Sequence, residues 1–389
     1  MKYNFDRIID RKGSDAIKVD NLELVFGSDD LLPMWVADMD FETPSFVKDT
    51  VLSQAGNDVW GYTKASDGYW VAIQRWLMSR HCWNVSLSDL GFVGGIVPGL
   101  AYAVNALTSF GDKIVIQPPV YPPFHSVVRS SGRELLCNPL KVVDGRFQMD
   151  FDHLQQLFSV SKVKLLILCN PHNPGGRSWT SYELSRLAEL CFEHNVFVIS
   201  DEIHADLTHK GVIHTPFAKV SDKAKHIAVT FMAPSKTFNM AGLASSFYII
   251  ENPLLKERFQ SYVLGNDLAG GHLFAFCAAE AAFEKGEEWL SEALDYINEN
   301  IKFVVAYLQK EIPEIVPMIP EASFLIWLDF SKTGLSHEQI KDCLISDAKL
   351  ALNDGLAFGS EGDCFMRMNV GCPRSVVIEA MGRLKKAFK

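Results

Sequence analysis

The chain has 389 residues, 48% of them hydrophobic and 22% charged, a composition that excludes intrinsic disorder and collagen-like repeats and leaves room for two or three domains. Asp and Glu total 47 against 37 Lys and Arg, giving a net charge of −10 with no basic tract, which argues against a nucleic-acid partner. No run approaches the roughly 18 uninterrupted apolar residues of a membrane span, so no membrane association is expected.

The first 20 residues, MKYNFDRIIDRKGSDAIKVD, are charged from the start and lack the apolar core of a signal peptide. The eight cysteines are scattered with no C-x-x-C pair, so a reducing cytoplasm fits better than a disulfide framework or a zinc ribbon. Residues 1–45 have no core of their own and are expected to complete the C-terminal part. Next, Gly94-Gly95-Ile96-Val97-Pro98-Gly99 leads from a short apolar run into the helical pattern LAYAVNAL. Short runs follow at 113–117 (KIVIQ), 163–169 (VKLLILC), 196–200 (VFVIS) and 227–231 (IAVTF), apolar on both faces as buried, largely parallel strands are. Helical segments separate them. In one, 180–194, Thr180 and Glu183 form a capping-box pattern ahead of Leu184, Leu187, Leu190 and Cys191. Strands alternating with helices predict an α/β layer. From about residue 282 the texture changes to one long helical stretch and then alternating runs at 323–330 (SFLIWLDF) and 364–370 (CFMRMNV). The expected organisation is a large α/β domain over 46–281 and a smaller α+β domain formed by 1–45 and 282–389.

In open α/β sheets the site lies beyond the carboxyl ends of the strands. Four ends deliver unusual residues: Tyr121 in a proline-framed turn, Asn173 in NPHNPGG, Asp201 in DEIH and Lys236 in APSKT. The glycines before Ile96 and Val97 leave bare N–H groups at a helix start, which suits a phosphate. The pattern matches neither Walker A nor G-x-G-x-x-G, so the carrier is neither ATP nor NAD. A lysine to bond an aldehyde, a carboxylate to keep a pyridine nitrogen protonated, an aromatic face and a phosphate site together suit pyridoxal 5′-phosphate. Singly, each residue has a plainer reading: a surface lysine, a strand-end cap, an Asx turn, a core ring. A competing metal cluster of Asp201, Glu202, His204, Asp206 and His209 is disfavoured. Alternate side chains there point apart and no H-E-x-x-H spacing is present, so no metal is expected.

These residues sit in motifs spread over nearly the whole chain: PMWVADMDFETP (33–44), WGYT (60–63), GGIVPG (94–99), PPVYPPF (118–124), NPHNPGG (170–176), SDEIHADL (200–207), APSKTFNMAGL (233–243) and RMNVGCPR (367–374). In them the chain resembles the fold-type I pyridoxal-phosphate enzymes of the aminotransferase class I/II superfamily, within it the MalY/PatB group of cystathionine β-lyases or C-S lyases. The resemblance implies that Lys236 holds the cofactor covalently, Asp201 pairs with its ring nitrogen, Tyr121 stacks on the ring, and Asn173 reaches the ring oxygen and the substrate carboxylate. It implies that Arg367 grips the α-carboxylate, a task suited to the guanidinium fork. By the same resemblance the Ile96 and Val97 amides and Ser235 hold the phosphate, and Tyr62 reaches the phosphate of a neighbouring subunit, hence a homodimer with shared sites. His204 joins the cofactor-binding set where aminotransferases commonly carry tyrosine. Ala244 stands where a phosphate-binding arginine is usual. The implied activity is α,β-elimination on L-cystathionine and related cysteine thioethers, with Lys236 moving the Cα proton and Tyr121 a weaker proton donor. An aminotransferase on the same scaffold is the alternative, because both reactions begin with loss of that proton; a regulatory protein-binding role is a minor one.

Overall fold

The computed structural model describes residues 2–389, which build two principal sheets. The larger has seven strands: β1 (Leu90–Val93), β2 (Lys113–Ile116), β3 (Glu134–Cys137), β4 (Val163–Cys169), β5 (Phe197–Asp201), β6 (Ala228–Met232) and β7 (Ser246–Ile249). Their spatial order is β1-β7-β6-β5-β4-β2-β3. From β6 to β3 all neighbours are parallel, whereas β7 runs antiparallel to both β6 and β1. The four central runs lie within a residue of their expected bounds. The sequence reading named neither β3 nor β7, and β7 departs from the parallel rule because residues 233–245, which join it to β6, hold only short turns and no crossover helix of the length a parallel neighbour needs.

Strand β4 shows why these runs are apolar throughout. Leu165, Ile167 and Cys169 join one core with Leu100 and Val104 of the helix Ile96–Leu107 and Phe124 of the helix Pro122–Ser130. Leu166 and Leu168 point the other way, into a second core with Leu184 and Leu187 of the helix Ser181–Glu193. A sheet covered on both faces leaves few polar positions, here Lys164 near the start of β4 and the buried Ser200 and Thr230. The expected capping box is present: Thr180 accepts from the Glu183 N–H, and the Glu183 side chain accepts from Thr180.

The smaller sheet contains β8 (Val316–Met318), β9 (Leu325–Asp329), β10 (Asn353–Asp354) and β11 (Phe365–Asn369), in the antiparallel order β8-β9-β11-β10. The long helix expected beyond residue 282 spans Glu287–Glu311. The alternation expected in β9 is not matched by alternating burial; four of its five residues are buried, because Phe358 and Phe365 enclose the Trp327 ring on the face away from Ile326 and Leu328. The N-terminal segment packs here: Leu32–Pro33 pairs in parallel with Leu350–Ala351, and Phe5 meets Phe41, Trp289 and Tyr296. Beyond it, residues 34–40 run beside β11, where Asn369 N–H donates to Met34 O at 2.9 Å and Asp40 N–H to Gly371 O at 2.8 Å. Among the described residues, no helix is long and apolar enough to cross a membrane.

Candidate active site

The carboxyl ends of β2, β4, β5 and β6 open on one cleft, closed from the far side by β11. After β2, Val120 N–H donates to Phe358 O at 2.8 Å, which pins the proline turn to the smaller sheet and holds Tyr121 at the start of the helix Pro122–Ser130. After β4, Asn173 is anchored by its N–H on Cys169 Sγ at 3.3 Å. Strand β5 ends on Asp201, only 3% exposed. Among the described residues its carboxylate accepts a single hydrogen bond, from Ile203 N–H at 3.1 Å. Burial pushes its pKa up to about 7, against the pull of that N–H and of the Lys236 charge.

Lys236 lies in the helical turn Pro234–Thr237 that follows β6. Its Nζ donates to Ala37 O at 2.5 Å. Burial holds the amine down to about 8; Arg367 adds to the effect while Asp38 and Asp201 oppose it. An amine so placed is partly neutral near neutral pH and can accept a proton.

Arg367 enters from β11 and is 4% exposed. Nη1 donates to Asn173 Oδ1 at 2.9 Å, Nη2 donates to Trp35 O at 3.0 Å and to Asn353 Oδ1, and the guanidinium lies 5.0 Å from the Phe358 ring centre. Its Nε has no partner. Burial pushes its pKa down to about 10. The partners are all neutral, so a buried cation stands without a counter-ion, a costly arrangement unless a ligand supplies the charge. Asp201 is the complementary case, a buried carboxylate without a cation in contact. The two do not pair with each other.

The remaining expected residues divide. His204 is buried, edge-on to Phe324, with its pKa pushed down to about 3 by burial and by the nearby Lys236 and Arg367 charges, so it is neutral. Its Nδ1 is unpartnered. Ile96 and Val97 open a helix whose preceding residue, Gly95, caps with no side chain. This helix leaves β1 at the same sheet edge. Gly99 presses on Phe231, where a Cβ would come within 2.6 Å of the ring, and so seats the helix on β6, which leads to Ser235 and Lys236. Tyr62, by contrast, is fully exposed in a segment with exposed Val59 and Trp60, and the chain does not bring it to the cleft. Ala244 ends a short turn at φ 46° and adds no cation.

The acidic and histidine residues near β5 face other partners. Glu202 accepts from Ser200 Oγ and Phe217 N–H and meets His214 Nε2 at 2.7 Å; Asp206 accepts from Trp76 Nε1 and Thr237 Oγ1 and meets His81 Nε2 at 2.9 Å. Among the described residues, no group of three or more His, Cys, Asp or Glu is placed to hold a metal ion. Sequence reasoning missed Trp35, Ala37, Asn353 and Phe358, which complete the surroundings of Lys236 and Arg367. Trp35 and Ala37 sit inside a quoted motif, PMWVADMDFETP, but act through backbone carbonyls; Asn353 and Phe358 carried no signal.

The description of the aminotransferase class I and II family matches residues 80–384. The chain belongs to that family. Cystathionine beta-lyase PatB of Bacillus subtilis (strain 168) is 43% identical over 385 residues, spanning 99% of this chain and 100% of its own length. The crystal structure of a PLP-bound putative aminotransferase from Clostridium difficile 630 is similar with a TM-score of 0.97 and 40% identity, covering 100% of both chains. A PLP-bound C-S lyase from Staphylococcus hominis, complexed with L-cycloserine, gives 0.93 and 34%, over 100% of this chain and 98% of that one.

Proposed function

We propose that this protein is a pyridoxal 5′-phosphate-dependent C-S β-lyase that cleaves L-cystathionine and related cysteine thioethers to pyruvate, ammonia and a thiol. The observation that carries it is the pair of uncompensated buried charges, Asp201 and Arg367, in one cleft with a lysine whose pKa burial lowers to about 8. A protonated pyridine nitrogen is the cation that Asp201 lacks, and an amino-acid carboxylate is the anion that Arg367 lacks. The choice of elimination rests on the full-length similarity to PatB, itself named a cystathionine beta-lyase.

When bound, the cofactor supplies an aldehyde that bonds amines and a ring that accepts an electron pair from Cα. The chain does the rest. Lys236 anchors the cofactor and carries the Cα proton; Asp201 keeps the ring nitrogen protonated; Tyr121 stacks on the ring; His204 stays neutral beside it. Arg367 and Asn173 orient the α-carboxylate. The Ile96 and Val97 amides, Ser235 and the partner subunit's Tyr62 hold the phosphate. The exposure of the adjacent apolar side chains Val59, Trp60 and Tyr62 supports a homodimer in which that segment is covered by the second copy. Lys236 also protonates the departing sulfur, because burial and the Asp201 charge push the Tyr121 hydroxyl up and make it the weaker acid.

Incubation with L-cystathionine, cofactor and no amino acceptor tests this reading. Equal amounts of pyruvate, ammonia and homocysteine are expected, with one water consumed. The structural likeness to a putative aminotransferase supports the second reading, transamination. A 2-oxo acid with its sulfur chain intact, and no pyruvate, would establish that reading instead.

Asp201 gives the cofactor-free chain a pH signature. Its ordinary value is 3.8 and its folded value about 7, so its contribution to stability is complete below pH 4 and is lost as pH rises through 7. The whole effect is on the order of 4 kcal/mol. Lys236, at about 8 in the fold, stays protonated across most of that window. Wild-type Tm is expected to fall more between pH 4.5 and 7 than that of Asp201→Asn, which has nothing to ionise. Equal slopes would show that Asp201 is not buried as described.

A further inference from the structure

Residues 35–41 pass the mouth of the cleft with nearly every carbonyl claimed by a side chain. Trp35 O accepts from Arg367 Nη2 at 3.0 Å, and Ala37 O from Lys236 Nζ at 2.5 Å. The carbonyls between and after them, Val36 O and Asp38 O, both accept from one group, Asn369 Nδ2, at 2.6 Å each. Farther along, Asn239 Nδ2 takes Met39 O at 2.9 Å and Phe41 O at 2.7 Å. The chain thus bends around the Asn369 amide, with the carbonyls of Val36 and Asp38 on the asparagine and those of Trp35 and Ala37 on Arg367 and Lys236.

Three features fit Asn369 to this task. It is 1% exposed, so no water competes for its hydrogen bonds. Its Oδ1 accepts from Gly371 N–H at 2.8 Å, which fixes the donor end toward the carbonyls. It stands two residues after Arg367 on β11, so both side chains leave the same face of the strand and reach the same segment. From the outer side the segment is braced by buried Lys18, whose Nζ meets Asp40 Oδ2 at 2.6 Å and Asp38 O at 3.3 Å.

We propose that Asn369 is a positioning residue that sets the spacing between Arg367 and Lys236 by holding the backbone from which both are tethered. The inference rests on the proposed roles of those two residues, Arg367 in gripping the substrate carboxylate and Lys236 in anchoring the cofactor that bonds the substrate amine. An amino acid spans both ends, so a small error in the spacing costs affinity and rate together.

The test uses the cofactor-loaded enzyme and L-alanine, which carries the amino and carboxylate groups but no sulfur to lose; binding is followed by the visible absorbance of the cofactor. Asn369→Asp turns an acceptor toward the carbonyls of Val36 and Asp38, and Asn369→Ser cannot reach them. Both are expected to retain cofactor and to bind alanine about tenfold more weakly or worse. Asn239→Ser loosens only Met39 and Phe41, and at a similar loss of Tm it is expected to weaken alanine by less than about threefold. Alanine affinity unchanged in the Asn369 variants, or weakened equally by Asn239→Ser, would overturn the proposal. Failure of both Asn369 variants to fold would also overturn it, making Asn369 a general structural support. No spectral response in the wild-type enzyme itself would instead sink the roles given to Arg367 and Lys236, and this inference with them.

Discussion

Replacing Lys236 with alanine is expected to lower thioether cleavage by about 10⁴-fold or more, with the fold retained. The substitution removes the amine proposed to hold the cofactor, to take the Cα proton and to protonate the sulfur, three tasks for one atom. It removes little else: Nζ makes one hydrogen bond, to Ala37 O, and burying it already costs free energy, as its lowered pKa shows. Tm of the cofactor-free variant should therefore stay within a few degrees of wild type. Full turnover in Lys236→Ala would eliminate both the lyase and the aminotransferase readings. The same variant probes the shared site. Combined in one dimer with a Tyr62→Ala chain, it leaves one site with neither residue and one site with both. Activity recovered on mixing supports the exchange of Tyr62 between subunits, and no recovery counts against it.

The second large effect belongs to Arg367. Arg367→Lys keeps a positive charge but has no fork with which to reach Asn173, Trp35 and Asn353 as well as a carboxylate. kcat/KM is expected to fall about 10²-fold, or about 2.7 kcal/mol of transition-state stabilisation, with most of the change in KM. Arg367→Ala should lose more, about 10³-fold, because the buried Asn173 Oδ1 and the part-buried Trp35 O and Asn353 Oδ1 then lose their donor. An unchanged KM in Arg367→Lys, measured by steady-state pyruvate release, would remove the carboxylate role from this residue.

What the sequence makes legible, and what it hides, follows from where identity is written. Strands β2, β4, β5 and β6 are readable because a sheet buried on both faces favours apolar side chains at most positions, as Leu165 to Leu168 illustrate with their alternating allegiance to two cores. Lys236, Asp201, Asn173 and Tyr121 stand out because they interrupt that demand at strand ends. Strand β7 was unmarked: Ser246-Phe-Tyr-Ile249 is short and follows a turn that nothing in the pattern announces. The surroundings of Arg367 were hidden for another reason. Its contacts to Trp35 and, through the same segment, those of Asn369 are made to backbone carbonyls, which every residue has and no residue type advertises. Asn353 and Phe358 come from a loop whose partners lie elsewhere in the chain, and only the fold reveals them. The role proposed for Tyr62 needs a second copy, which no single chain's pattern describes.

The segment around Ala37 has a consequence for how the protein comes into being. Trp35 and Arg367 are joined across 332 positions of chain, and Val36 and Asn369 across 333. During synthesis the lysine, the aspartate and the tyrosine of the large sheet are all made before the strand that carries Arg367 exists. A nascent polypeptide can therefore shape the ledge for a cofactor well before it can recognise an amino acid. Pairings this distant in the chain are also those whose loop closure costs the most entropy. As the chain leaves the ribosome, substrate recognition is thus the last part of the site to be made, and it should be lost when the carboxyl-terminal strands detach.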